Sequence, residues 1–214
     1  MKRWILITAA LVATLTVSAQ HVTPLNVKLT DFNLEAIRAE MDSDKAAYYV
    51  QLKHIELDLK GDAESVKQAY KQLNEEKSYA ACIGDYVKFA SKLLKTYEKS
   101  CNAEISDLAD MQSTIDKQTA KANKLTLVTH DSKPKFIAHM AEERAQVSLQ
   151  KEELQKKLIM ISKQQAQINK VQDGLNLFLA EINNKENDLK LKESTLKANQ
   201  DALKAEMKTV KTAR

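Results

Sequence analysis

The chain has 214 residues, of which 29% are charged and only 5% are aromatic, and it contains three glycines and two prolines. So few aromatic and turn-forming residues exclude an ordinary compact globule and are typical of long helices and coiled coils. The formal net charge of +4 is too small for a protein that binds nucleic acid through a basic surface, so we expect no nucleic-acid partner.

Residues 1–19 have the organisation of a secretory signal peptide. A positively charged start precedes an apolar run, and a small-residue cleavage site ends at Ala19. The apolar run is too short to span a bilayer comfortably, and an uncleaved N-terminal anchor is the alternative. The first cysteine is Cys82, so no cysteine stands where a lipid anchor would be attached. We therefore expect cleavage and export to the periplasm or the outside of a bacterial cell.

An extended segment over residues 20–30 precedes the first predicted helix, which spans residues 31–60. Thr30 or Asp31 is suited to cap its N-terminus. Apolar residues then recur at spacings of mostly three and four, and Gly61 is suited to end the helix. We expect this helix to fold back against the long helix that follows, so that three helices form a bundle at the terminal end.

A seven-residue repeat predicts a second helix over residues 62–125, with Asp62 as its cap. Every seventh residue from Val66 is nonpolar, which is the pattern of one seam position in a coiled coil. The residues three positions further on are apolar in most repeats, so the second seam position is only partly apolar. The strict seam residues are Val66, Leu73, Ala80, Val87, Leu94, Cys101, Leu108, Ile115 and Ala122.

A third helix is predicted over residues 137–213, where every seventh residue from Val147 to Val210 is aliphatic. Two unrelated amphipathic helices would drift away from so strict a period, so the repeat indicates supercoiled helices. Polar residues hold many of the companion seam positions, and such residues fix register or partner choice at a cost in stability. These polar companions include Gln165, Gln172, Glu186, Glu193 and Gln200.

The stretch THDSKPKF interrupts the two repeats, and we predict a hairpin loop over residues 126–136. Pro134 is expected to keep Lys133 out of helical geometry and to separate the two helices. Because the repeats on either side match in length, the sequence predicts an all-α fold. Its main element is a long antiparallel coiled-coil hairpin, to which the first helix adds the three-helix bundle.

The loop region is the strongest candidate for a contact site. Its lysines outnumber its acidic residues, and apolar residues flank them. Such a tip could contact anionic lipid headgroups or an acidic partner. The alternative is a solvated turn whose apolar flanks pack against each other. The candidate contact residues are Lys121, Lys124, Lys133, Lys135 and Phe136.

The two cysteines cannot form a disulfide with each other on one continuous helix. Nineteen residues of helix separate Cys82 from Cys101 by about 28 Å, whereas a disulfide allows about 7 Å between Cα atoms. Only a turn at Gly84-Asp85 would change this. Cys101 occupies the seam and is interpreted as a small core residue. Cys82 lies off the seam and is the candidate for an intermolecular disulfide.

No pattern of residues points to catalysis, to a metal or to a cofactor. His130 and His139 lie near Glu142 and Glu143, but their spacing matches no zinc motif. The sequence contains no glycine-rich phosphate loop and no nucleophile elbow. We therefore expect a protein that is not an enzyme.

These observations indicate an exported structural or interaction protein that acts as a scaffold, spacer or adaptor. Its protein partners, further copies of the chain or other envelope proteins, would bind its helix faces. The architecture also resembles that of Skp/OmpH-type periplasmic chaperones in its signal peptide, its length and its lysine-rich helical arms. That resemblance implies an alternative function as a trimeric holdase. The chain departs from the pattern in its balanced charge and in Pro24, which interrupts the one short candidate strand.

Overall fold

The computed structural model describes residues 25–39, 45–124 and 132–212. These residues form a short helix α1 (Leu34–Ala39) and two long helices, α2 (Lys45–Lys124) and α3 (Ser132–Thr212), that pack together. None of the described residues forms a strand. The predicted all-α helical hairpin with an additional N-terminal helix is confirmed. The predicted signal peptide, residues 1–19, lies outside the described residues. Among the described residues, no helix is long and apolar enough to cross a bilayer.

The predicted helix boundary at Gly61 is wrong, because α2 continues through it without a positive φ. Leu52, Leu59 and Val66 are seven residues apart and all are buried, so they form one unbroken seam across the glycine. A glycine inside a helix costs about 1 kcal/mol relative to alanine, which is less than burying a single leucine contributes. The predicted first helix is therefore α1 followed by the start of α2.

The start of α1 also differs from the sequence prediction. Its cap is Asn33, whose side-chain Oδ1 accepts a hydrogen bond from the backbone N–H of Ala36 at 3.1 Å. Thr30 and Asp31 precede the cap in a segment that is neither helix nor strand. With six residues, α1 is too short to be stable alone, so packing against the long helices must stabilise it.

The predicted loop over residues 126–136 is too long at its C-terminal end, because α3 begins at Ser132. Its earlier residues, 126–131, lie outside the described residues. Pro134 occupies the first turn of α3, where the backbone N–H that proline lacks would have no partner within the helix. Pro134 therefore begins the helix rather than excluding Lys133 from it.

The described chain divides into two compact units. The terminal unit comprises residues 25–39, 45–84 and 173–212, and the loop unit comprises residues 85–124 and 132–172. In both units the buried residues follow the predicted seven-residue repeat. In the terminal unit they include Leu73, Ala80, Ile182 and Leu189, and in the loop unit they include Leu94, Leu108, Val147 and Leu154. The predicted seam is confirmed.

The seam is wider in the terminal unit than in the loop unit. In the terminal unit the second seam position is buried at Tyr48, Asp62 and Ala69. In the loop unit the corresponding residues Tyr97 and Met111 are 42% and 53% exposed. The difference arises because the segment before α1 adds a third layer to the terminal unit, where Val27 is buried in the shared core.

Candidate functional site

Two carboxylates of the long helices hold the N-terminal segment in the terminal unit. The Asp62 side chain of α2 accepts a hydrogen bond from the backbone N–H of Thr30 at 2.8 Å. Near the end of α3, Glu206 accepts hydrogen bonds from the Arg38 guanidinium of α1 and from the Tyr48 hydroxyl of α2. Asp62, which the sequence predicted as a helix cap, is instead a buried acceptor inside α2.

Glu206 is 8% exposed, and its charge is stabilised by the groups that face it from the two other helices. The Arg38 hydrogen bond is the main cause that lowers the pKa of the Glu206 carboxyl, against the effect of burial. Burial, followed by the hydrogen bond to Glu206, raises the pKa of the Tyr48 hydroxyl. Both shifts favour a charged carboxylate and a neutral phenol, which is the state that the hydrogen bonds need.

Hydrogen bonds across the seam fix the register of the two long helices in the terminal unit. Lys185 of α3 pairs with Glu76 of α2 at 3.0 Å, and Lys77 of α2 pairs with Glu186 of α3 at 2.7 Å. The Tyr70 hydroxyl donates to Glu193 at 2.9 Å. Residue numbers rise along α3 as they fall along α2, so the two helices run antiparallel in this unit.

Four of the polar companions that the sequence placed on the loose seam, Gln165, Glu186, Glu193 and Gln200, therefore have partners on the opposite helix. Gln200 donates to the backbone carbonyl of Leu59 at 3.4 Å. In the loop unit, Gln165 donates to the Ser91 hydroxyl of α2 at 3.5 Å, and within its own helix it donates to the Asn169 side chain at 3.0 Å. A one-turn slip would break the bonds between the two helices, so these polar positions act as register markers.

The five predicted tip residues all lie in helices, at the end of α2 or the start of α3. Lys133 donates from its Nζ to the backbone carbonyl of Asn123, in the last turn of α2, at 2.9 Å. A cation at this place satisfies one of the free carbonyls of a helix C-terminus. Lys121, Lys124 and Lys135 are exposed, and Phe136 is 40% exposed.

The cysteines lie where their positions in the repeat predict. Cys101 is buried in the core of the loop unit, and Cys82 is exposed in the terminal unit. Both are free thiols. The burial of Cys101 confirms its interpretation as a core residue, whereas an intermolecular disulfide at Cys82 stays a prediction.

Histidine and carboxylate side chains do not assemble into a metal site in the part of the chain that the structure describes. The His139 ring lies 3.3 Å from the Glu143 carboxylate, one helical turn away on an exposed face. This is an ordinary surface pair and brings in no third ligand. His130 lies outside the described residues.

Two grooves of similar size lie between the described helices of the loop unit. One has a volume of about 610 Å³ and is lined on α2 by Lys88, Lys92, Lys95 and Lys99. Across this groove, α3 contributes Gln165, Asn169 and Gln172. The other has a volume of about 570 Å³ and is lined by Asp107, Asp110 and Glu143, with Met111 beside them. Neither charge pattern was identified from the sequence, although the four lysines recur at spacings of four, three and four.

Comparison with known proteins gives no relative for this chain: no protein-family model, no curated protein and no solved structure matches it.

Proposed function

We propose that this chain is an exported coiled-coil scaffold that acts as a spacer or adaptor for protein partners. The observation that supports the proposal best is the division of each long helix into one buried stripe and wide exposed faces. In the loop unit the buried stripe uses one residue in seven, and in the terminal unit it is wider, but in both units most side chains of the long helices are left available to partners. Leu177 and Leu191, two repeats apart on α3, are 75% and 67% exposed and offer apolar contact area.

A periplasmic holdase is the alternative activity, and the N-terminal segment argues against it. The resemblance to Skp/OmpH-type chaperones implies a β-forming segment that builds a trimeric body. Residues 25–33 form neither helix nor strand, and Val27 packs against the long helices of the same chain. The described part of this segment therefore packs in the terminal unit of its own chain.

The basic tip remains a second proposed contact. Lys133 is engaged at the end of α2, which leaves Lys121, Lys124 and Lys135 for an anionic surface. Vesicles of anionic lipid are the probe. Charge reversal of those three lysines should abolish sedimentation of the chain with the vesicles, and vesicles of neutral lipid are the control. Equal sedimentation of the wild-type chain with both vesicle types would refute a tip that contacts anionic lipid.

Site-specific photo-cross-linking in cells tests the scaffold proposal. A photoreactive amino acid at exposed Leu57 or Leu191 should cross-link the tagged full chain to a small set of discrete proteins. The same amino acid at buried Leu73 should give only cross-links within the chain. Cell fractionation tests export in parallel. A chain that stays in the cytoplasm, or cross-links to a broad range of unfolded outer-membrane proteins, would contradict the proposal, and the second outcome favours the holdase.

A further inference from the structure

The lysine groove of the loop unit carries charge of one sign only. Lys88, Lys92, Lys95 and Lys99 share one face of α2, since spacings of three and four return a helix to the same side. Lys88 lies 3.6 Å from the exposed Asp85 carboxylate, but none of the described residues that line the groove is acidic. Among the described residues, no carboxylate lies within ion-pair distance of Lys92, Lys95 or Lys99. The groove is therefore open to an acidic partner.

The second groove of the same unit has the opposite sign. Asp107, Asp110 and Glu143 line it, and its lining within the described ranges includes no lysine or arginine. Met111 is 53% exposed at this groove and offers an apolar side chain that a docking surface would cover. The centres of the two grooves are about 19 residues apart along α2, which corresponds to about 28 Å of helix. One molecule therefore carries two surfaces of opposite charge that are too far apart to bind each other.

The two grooves lie on opposite flanks of the α2 seam. Lys88 and Lys95 each follow a seam residue by one position, whereas Asp107 precedes the seam residue Leu108 by one position. On a helix, the residue one position before a seam residue and the residue one position after it lie on opposite sides of the seam. A second copy that uses its acidic groove to cover the basic groove still leaves one groove of each sign free in the pair.

We propose that the basic groove of one chain binds the acidic groove of a second copy of the same chain, giving staggered head-to-tail assembly through the loop unit. This inference rests on the proposed scaffold function and names one of its partners. A contact between two different surfaces of identical chains does not close on itself unless the rotation forms a ring. The contact is small and charged, so it is weak and sensitive to salt.

Sedimentation velocity of the purified full chain at increasing concentration is the first measurement. We expect the average mass to rise continuously with concentration, and the rise to disappear at about 1 M salt, where the Debye length falls to about 3 Å. A wild-type chain that stays monomeric at every concentration would overturn the proposal. Binding of polyglutamate by such a monomer would assign the basic groove to an acidic partner other than the chain itself.

Charge-swapped variants test directly whether the two grooves bind each other. The basic-groove variant carries K92E, K95E and K99E, and the acidic-groove variant carries D107K, D110K and E143K. Each variant alone should associate roughly tenfold more weakly or worse, because like charges then oppose each other. An equimolar mixture of the two should regain association, since one copy then has two acidic grooves and the other has two basic grooves.

A matched control separates this specific contact from a change in net charge. Lys156, Lys163 and Lys170 are exposed at one repeat position of α3, and none of them lines either groove. The K156E, K163E and K170E variant should associate like the wild type, and circular dichroism should show equal helix content in every variant. Loss of association in this control, or no recovery in the mixture, would overturn the groove pairing. Cross-links to other proteins in cells would still support the scaffold.

Discussion

Arg38 in the six-residue helix α1 and Glu206 near the end of α3 form a hydrogen-bonded ion pair that joins the N-terminal segment to the long helices. The Glu206 side chain is 10% exposed, whereas the Arg38 side chain is 54% exposed. The pair therefore combines a nearly buried carboxylate with a cation that reaches it from the surface. Tyr48 donates to the other carboxylate oxygen, so removal of the charge affects two contacts.

Replacing Glu206 with Gln should loosen the N-terminal segment without unfolding the long helices. The amide has no charge to pair with Arg38, and we expect a loss of about 1 kcal/mol after allowance for the exposed guanidinium. Limited proteolysis should then cut residues 25–39 faster. Asp201→Asn, which removes an exposed carboxylate from the same helix, is the control. Equal protection of the segment in both variants would contradict this role for Glu206.

The attachment of the N-terminal segment should weaken in acid. Hydrogen bonding to Arg38 lowers the pKa of Glu206 from its ordinary value of 4.5. Stabilisation from this charged group is therefore complete above pH 4.5 and is lost as pH falls through the lowered pKa. Chemical shifts of residues 25–39 in NMR spectra should report the transition, and the Glu206→Gln variant should lack it. An identical acid transition in that variant would assign the effect to another carboxylate.

The seam should account for most of the stability of the terminal unit. Leu73 and Leu189 are 0% exposed in its core, so truncation of either to Ala should cost about 2–5 kcal/mol. Leu57 is 62% exposed on the same helix as Leu73, and Leu57→Ala should change little. Urea denaturation followed by circular dichroism measures the difference. Similar losses for Leu73→Ala and Leu57→Ala would mean that the seam is placed wrongly.

Sequence periodicity was sufficient to predict the two long helices and the side chains that are buried where they pack together. One seven-residue phase decides which residues are buried along each helix. The same phase reaches Leu52 and Leu59, both buried, and this continuity was the available signal that α2 runs through Gly61. The sequence prediction nevertheless ended the helix at Gly61, because helices commonly end at a glycine. Tertiary packing overrides so small a local preference.

The contacts of Arg38 and Asp62 could not be read from the sequence. Arg38 meets Glu206 from 168 residues away, and Thr30 meets Asp62 from 32 residues away. No short motif encodes such pairs, since they depend on how the segment before α1 packs on the long helices. The pair also runs against the local excess of charge, because the acid-rich N-terminal region supplies its cation and the lysine-rich end of α3 supplies its anion.

The pair of Glu76 and Lys185 should stabilise the terminal unit more than an exposed pair does. Their side chains are 17% and 11% exposed, whereas those of Asp85 and Lys88 are 82% and 80% exposed. Glu76→Lys should cost about 2 kcal/mol or more, since it leaves two cations together in a poorly solvated place. Adding Lys185→Glu should recover most of that loss in urea denaturation, and the same swap at Asp85 and Lys88 should change almost nothing. Independent losses for the two substitutions would show that the side chains are not paired.

Gly61→Ala distinguishes a continuous α2 from a helix that ends at this residue. A Cβ atom built at Gly61 meets nothing within 4 Å, and the backbone has no positive φ there. Alanine should therefore stabilise the chain by about 0.5–1 kcal/mol through its higher helix propensity. Gly174, on α3, also has open space around its Cβ direction, and Gly174→Ala is the matched control with the same expected gain. Were α2 to stop at Gly61 in a left-handed cap, alanine would strain the backbone there, and thermal unfolding would show a loss at Gly61 beside a gain at Gly174.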